Sequence, residues 1–202
     1  MTTQVKERGG YMDFTAAMRE YIACEIRAMQ ALDLEEINCC INMILKVRER
    51  GGTIYTMGNG GSAATASHFV CDFAKGVSGA LKGKKFMFEC LSDNTPIVTA
   101  IANDICYEEV FRYQLLDKLK PEDLVIGISG SGNSENVVRA MKYARTIGTP
   151  VIGVTGYDGG RVKELSDHVM HVDLADMQIV EDIHMLFDHM VMRVLCKLNT
   201  EE

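Results

Sequence analysis

The chain has 202 residues, of which 47% are hydrophobic and 24% are charged, and its formal net charge is −7. A chain of this length builds one sizeable core, so we expect a single domain over residues 1–202. The negative charge balance disfavours a nucleic-acid partner, because the nucleic-acid backbone would be repelled.

Cysteine usage and hydropathy indicate the compartment. The seven cysteines are an odd number without a CxxC pair and lie mostly in apolar or helical runs, which favours reduced thiols in the core. The polar N-terminus has no apolar stretch of signal-peptide length, and no window reaches about 18 uninterrupted apolar residues. We therefore expect a cytoplasmic protein with no membrane partner.

The first quarter of the chain has a helical pattern. From Tyr11 to Glu49 apolar residues recur at three- to five-residue intervals, and the stripe breaks near Asp33. Gly51 and Gly52 then end the second helix. We predict an N-terminal helical segment of about residues 11–50, followed by an α/β core of about residues 51–200.

The rest of the chain alternates between strand-like and helix-like segments. Short apolar runs predict strands at 53–57, near Phe86, and at 123–128, 150–154 and 168–172. Helices are predicted at 62–75, 96–103, 108–118, 134–147 and 178–198. Such alternation predicts the α/β class, a three-layer, doubly wound sandwich with a five-stranded parallel sheet.

Two Gly/Ser-rich loops each follow a predicted strand and precede a predicted helix. They read GNGGS at 58–62 and SGSGNS at 129–134. Glycines let the backbone approach a ligand, and a helix N-terminus favours an anion, so we expect a phosphate there. The candidate ligand-binding residues are Asn59, Gly60, Gly61, Ser62, Ser129, Gly130, Ser131 and Ser134. Either loop alone could equally be a tight turn. Neither matches GxxxxGK[ST] or GxGxxG, which disfavours nucleotide hydrolysis and dinucleotide binding.

Several motifs occur in one order along the chain: GNGGSAATASHF, Ser92-Asp93, AIAND at 100–104, GISGSGNS and TGYDGG at 155–160. In this order they resemble the sugar isomerase (SIS) domain family, and most closely its phosphoheptose isomerases. The resemblance implies a flavodoxin-like fold and a homotetramer with sites at subunit interfaces. It also implies conversion of sedoheptulose 7-phosphate to D-glycero-D-manno-heptose 7-phosphate.

Residue roles follow from the same resemblance. The phosphate-binding serines of the family correspond to Ser62, Ser129, Ser131 and Ser134, while Gly130 stands where the family often has threonine. Asn103 and Asp104 would contact substrate hydroxyls.

Four residues on two helices are candidates for a metal site. His68 and Asp72 lie four residues apart, hence on one helix face. Glu181 and His189 lie eight residues apart, about 80° around a helix, so both can face one cleft. The resemblance implies that these four residues hold one zinc or other divalent ion per site. Two depart from the family, since Asp72 replaces a glutamate and Glu181 replaces a glutamine.

An aldose–ketose isomerisation needs a base, an acid and an electrophile. We assign the base to Asp72, the proton transfer on oxygen to His189, and polarisation of the carbonyl to the metal. His184, His168 and His171 are given structural roles.

Two other functions remain open from sequence. One is a non-catalytic phosphosugar-binding regulator or assembly scaffold of the same domain family. The other is an isomerase of a different phosphorylated or sulfonated sugar, which the Asp72 and Glu181 changes would permit.

Overall fold

The structure is a computed structural model that describes residues 6–8 and 10–197. It divides into two compact units, residues 1–32 and residues 33–202. The boundary lies between the two predicted N-terminal helices, so the second of these helices belongs with the α/β unit. The single-domain assignment stays a prediction.

The first unit begins with a hairpin rather than a helix. Strand β1 (Lys6–Arg8) pairs antiparallel with β2 (Tyr11–Asp13), and α1 (Thr15–Gln30) follows. The predicted helix start at Tyr11 was therefore wrong by about four residues. Gly10, at φ +84°, supplies the left-handed residue that a tight hairpin turn needs.

The second unit opens with α2 (Leu34–Arg50), which carries clear end signals. Asp33 accepts hydrogen bonds from the backbone N–H groups of Glu35 and Glu36, as an N-cap residue does. Gly51 ends the helix at φ +77°. The predicted break near Asp33 is confirmed.

The remaining elements form a five-stranded parallel sheet with helices, as predicted. The strands are β3 (Thr53–Met57), β4 (Met87–Cys90), β5 (Leu124–Ser129), β6 (Val151–Thr155) and β7 (His168–His171). The helices are α3 (Gly61–Cys71), a π-helical turn (Asp72–Val77), α4 (Ser78–Ala80), α5 (Thr95–Asp104), a 3-10 turn (Tyr107–Glu109), α6 (Arg112–Leu115), α7 (Glu135–Ile147), α8 (Gly160–Leu165) and α9 (Met177–Lys197).

The strand order places both Gly/Ser loops at one point of the sheet. The order is β4-β3-β5-β6-β7, and all neighbours are parallel. The chain therefore moves outward in one direction from β3 to β4, and in the other from β5 to β7. In such sheets ligands bind at the carboxyl ends of the strands where this direction reverses. The loop after β3 and the loop after β5 flank that reversal.

The core lies on both faces of the sheet, and every residue of β5 and β6 is buried. On one face, Phe69 of α3 stacks on Phe73 and contacts Phe187 of α9. This contact fixes α3 and α9 against each other. On the other face, apolar residues of α5, α6 and α7 pack against the sheet.

Three details differ from the sequence-based expectations. The helix predicted at 108–118 is broken into a 3-10 turn and α6, with Asp117 at φ +58°. Helix α8 was not predicted.

All seven cysteines are free, but only Cys40 and Cys90 are buried. In the part of the chain that is described, no helix is both long and apolar enough to cross a bilayer.

Candidate active site

The first Gly/Ser loop is held in place by side chains from other elements. The amides of Asn59 and Asn136 exchange two hydrogen bonds of 2.9 Å. Tyr107 Oη donates to Asn59 Oδ1 at 2.7 Å. Ser92 Oγ donates to the carbonyl of Gly58 at 2.9 Å. The Asn59 side chain is thus engaged inside the protein, and it positions the loop.

The loop turns directly into α3. Gly60 has φ +56° and ψ −122°, a conformation that glycine adopts without a steric penalty. Gly61 is the first residue of the helix, and Ser62 is buried in its first turn. The first-turn N–H groups of a helix have no intrahelical acceptors, so this end of α3 is suited to an anion.

The second loop brings two hydroxyl groups together. Ser129 Oγ and Ser134 Oγ are 3.0 Å apart, although Ser134 is the N-cap residue of α7 and makes no side-chain capping bond. Ser131 lies elsewhere on the loop, where its carbonyl accepts from Asn133 Nδ2 at 2.9 Å. It lines a cavity of about 640 Å³ together with Asp158 and Asp173. Ser129 and Ser134 therefore form the hydroxyl pair of this loop, whereas Ser131 Oγ accepts from the backbone N–H of Asn133 and stays outside that pair.

Gly130 is constrained by a neighbouring helix. A Cβ at this position would lie 2.5 Å from Sδ of Met177, at the start of α9. The side chain of Met177 therefore occupies the space that a threonine would need. The glycine that stands here in place of the family's threonine is thus accompanied by Met177, which fills the space of the threonine side chain.

Three of the four predicted metal ligands converge, and Asp188 joins them as the fourth member of the cluster. His68 Nε2 lies 3.1 Å from His189 Nε2, 3.7 Å from Asp72 Oδ1 and 3.9 Å from Asp188 Oδ2. One ligand atom from each of these residues lies within 4.8 Å of every other. His68 and Asp72 come from α3 and the π-helical turn, and Asp188 and His189 from α9.

Asp188 is the unusual member of this group. It is fully buried, and neither carboxylate oxygen has a hydrogen-bond partner. Burial and, to a smaller extent, the nearby carboxylate of Asp72 together raise the pKa of Asp188 to about 7. A buried carboxylate without a partner is costly, so this cluster calls for a compensating positive charge.

The cluster fits a divalent metal ion. Two histidines and two aspartates offer nitrogen and oxygen donors, and these donor types suit zinc. Ligands of a tetrahedral zinc ion, at about 2.0–2.1 Å from it, lie about 3.4 Å apart. The distances of 3.1, 3.7 and 3.9 Å from His68 Nε2 lie close to that spacing. The unpartnered oxygens of Asp188 would gain a partner in such a site.

Glu181 does not join this group. A Cβ at Gly61 would collide with the Glu181 carboxylate, so this side chain lies at the N-terminus of α3, beside the first Gly/Ser loop. The N-terminus of a helix stabilises a negatively charged group such as this carboxylate. The role of Glu181 as a metal ligand stays a prediction.

Asn103 and Asp104 lie apart from the cluster within this chain. Both are exposed at the end of α5, and Asn103 Nδ2 donates to Asp104 Oδ1 at 2.7 Å. Asp104 lines a groove of about 650 Å³ that includes Ile97 and Tyr113 but no loop serine and no histidine. Their contact with substrate stays a prediction.

His184 has the structural role expected from the sequence pattern. It is 1% exposed, and neither ring nitrogen makes a hydrogen bond. Burial lowers the pKa of His184 to about 4, and the nearby backbone of Thr155 offsets only a small part of this decrease. The imidazole is therefore neutral in the folded protein at neutral pH.

A pH dependence of stability follows from His184. In the unfolded chain this histidine takes up a proton near pH 6.5, whereas in the folded protein it does so only near pH 4. The unfolded state thus binds more protons between these values, and stability falls as the pH decreases through this window. The raised pKa of Asp188 acts in the opposite direction in metal-free protein.

The contribution of His184 is isolated by comparing wild type with His184→Leu in a chelator. We subtract the free energy of unfolding of the variant from that of wild type. This difference should decrease by about 3 kcal/mol as the pH is lowered from 7 to 4. Urea unfolding at several pH values measures it. A difference that does not change with pH would contradict the neutral, buried assignment.

Sequence reasoning missed the supporting residues of the site. Asn136, Tyr107 and Ser92 position the first loop, and Asp188 faces the histidines. Ser92 was noted only within a motif. Asp188 directly precedes His189, and only the packing of α9 on α3 shows that it faces inward.

Comparisons with known proteins identify the family of this chain. The fold, the paired loops and the His/Asp cluster define a SIS domain, and the SIS domain family model matches residues 17–156. A probable phosphoheptose isomerase of Thermoplasma volcanium is 35% identical over 88% of this chain and 90% of its own length. The phosphoheptose isomerase of Aliarcobacter butzleri is 36% identical, covering 89% and 92%.

A solved structure shows the same arrangement of elements. The phosphoheptose isomerase of Neisseria gonorrhoeae superposes with a TM-score of 0.82 at 29% identity, covering 91% of this chain and 98% of that one. The chain therefore belongs to the phosphoheptose isomerase family of SIS domain proteins.

Proposed function

We propose that this protein interconverts sedoheptulose 7-phosphate and D-glycero-D-manno-heptose 7-phosphate at a zinc-dependent site. The observation that carries the proposal is the placement of both functional groups on α3. This helix starts at the phosphate loop with Gly61 and reaches His68 seven residues later. The separation is about 10.5 Å along the helix axis, comparable to the length of an extended seven-carbon sugar phosphate.

Binding orients the substrate between these two ends. The first turn of α3 and the hydroxyls of Ser129 and Ser134 hold the phosphate, because they present donors at helix N-termini. The carbonyl end then lies near His68 and His189. Fixing both ends aligns the two carbons between which hydrogen is transferred with the catalytic side chains.

The proton transfers are assigned to Asp72 and His189. The Asp72 carboxylate removes the proton from the carbon next to the carbonyl and returns it to the neighbouring carbon. His189 is exposed at the cluster, so its ring can exchange a proton with the substrate oxygens. A divalent ion held at this cluster by His68, Asp72 and His189 would supply electrophilic stabilisation of the negative charge that develops on those oxygens.

The direct test is turnover of sedoheptulose 7-phosphate by purified protein, followed by NMR or a coupled assay. We expect isomerisation that is lost after treatment with a chelator and restored by Zn²⁺. Other ketose phosphates and a sulfonated analogue are assayed beside it. Tight sugar phosphate binding without turnover would instead indicate a regulator of the same fold.

We also propose a cytoplasmic homotetramer with sites at subunit interfaces. Exposed apolar side chains at four-residue spacing on and just before α1 support association, namely Phe14, Met18, Ile22 and Ile26. The exposed Asn103 and Asp104 would then be available to a neighbouring site. Light scattering that gives 22.4 kDa at micromolar concentration would contradict the tetramer.

A further inference from the structure

Helices α3 and α9 run side by side in the same direction, which fixes the residues that face each other. Gly61 faces Glu181, His68 faces Asp188 and His189, and Gly76 of the π-helical turn that follows α3 faces Met192. Between Gly61 and His68, seven residues of α3 are thus matched by seven or eight residues of α9. The α9 residues that lie at the level of His68 are therefore Asp188 and His189.

Glu181 and Asp188 lie on one stripe of α9 but at different heights. Seven residues correspond to about 700° of rotation, so the two side chains are only about 20° apart, and about 10.5 Å separates them along the axis. Helical side chains lean toward the helix N-terminus. Glu181 therefore leans away from His68 and toward Gly61, where its carboxylate is found.

The surroundings of Asp188 are those expected of a metal ligand. It is fully buried with both oxygens unpartnered, and its Oδ2 is 3.9 Å from His68 Nε2. That distance is too long for a hydrogen bond. The second carboxylate, Asp72, is only 13% exposed in its side chain. A site that omitted Asp188 would leave a buried negative charge beside the ion without a bond to it.

We propose that Asp188, rather than Glu181, completes the metal site, giving a centre of two histidines and two aspartates: His68, Asp72, Asp188 and His189. This inference rests on the metal dependence proposed above. It removes Glu181 from the ligand set that the sequence implies and leaves its carboxylate beside the phosphate loop.

The test is direct metal binding by the full-length protein. Apo protein is titrated with Zn²⁺ against a chromophoric chelator, and Co²⁺ is used separately as a spectroscopic probe. The variants are Asp188→Asn, Glu181→Gln and the control Asp182→Asn, an exposed neighbour on α9. We expect Asp188→Asn to weaken Zn²⁺ binding by at least tenfold and to change the Co²⁺ visible spectrum. Glu181→Gln and Asp182→Asn should stay within about twofold of wild type.

Thermal unfolding separates a ligand from a merely structural residue. Asp188→Leu removes the buried charge and fills its volume, so the apo variant should have a Tm equal to or above that of wild type. The increase in Tm that Zn²⁺ produces should be strongly reduced in this variant. A structural role alone would change the apo Tm and leave the Zn²⁺-induced increase intact, which would overturn the proposal.

The remaining outcomes are also decisive. If wild type binds Zn²⁺ and Glu181→Gln weakens binding while Asp188→Asn does not, Glu181 is the ligand and this inference fails, but metal dependence stands. If wild type binds neither Zn²⁺ nor Co²⁺, metal dependence fails, and this inference fails with it.

Discussion

Replacing His189 with alanine is expected to lower kcat/KM by about a thousandfold or more. General acid–base groups contribute about 10²–10⁴-fold, and this residue is also a proposed metal ligand, with its Nε2 3.1 Å from that of His68. His189 is exposed, so the substitution opens no core cavity. The loss should therefore come from chemistry and metal binding rather than from unfolding. Steady-state kinetics and metal content by mass spectrometry measure both.

His168→Ala is the matched control for this variant. His168 is a half-buried histidine of β7 whose Nδ1 pairs with Glu36 Oε1 at 3.2 Å, outside the cluster. Its kcat/KM should stay within about threefold of wild type, because His168 lies outside the cluster and its partly exposed ion pair contributes little to stability. Equal losses in the two variants would show that the His189 effect is not specific to the site.

Replacing Asp72 with asparagine is expected to lower kcat by about 10²–10⁴-fold with little change in KM. Asparagine has nearly the same shape, but it cannot accept the proton from carbon. Asp72 lies where α3 passes into the π-helical turn, a geometry frequently found at functional sites. The kinetics are measured at saturating Zn²⁺, so that weaker metal binding does not account for the loss.

Asp72→Glu tests whether the carboxylate itself is required. This variant restores the residue that the family resemblance places at this position. It should be at least tenfold more active than Asp72→Asn, although a base displaced by about 1 Å can lose about a hundredfold in rate. If Asp72→Asn retains wild-type kcat, Asp72 is not the base.

The fold was largely predictable because its signals are local. The five parallel strands were read from apolar runs bounded by glycine, and Asp33 and Gly51 marked helix ends through capping. The hairpin at Tyr11 was missed because strands of three residues give almost no periodicity. The helix expected at 108–118 is instead a 3-10 turn and a four-residue helix that ends at Leu115, two residues before Asp117, whose left-handed backbone no local pattern indicates.

The candidate site was predictable only in part. The four-residue spacing predicts that His68 and Asp72 lie on one helix face. The two loops were recognisable from their glycine and serine content and from their position after predicted strands. Which residues of α9 meet α3 depends on the rotation and height at which the two helices pack.

The sequence alone determined the α/β class, the paired Gly/Ser loops and the presence of two histidines on separate helices, because these depend on composition and short-range spacing. Tertiary structure decided the rest. The parallel packing of α3 on α9, fixed by Phe69 and Phe187 in the core, places Asp188 beside His68 and Glu181 beside the first Gly/Ser loop. Contacts between residues more than 100 positions apart are set by the packed core, and no local pattern encodes them.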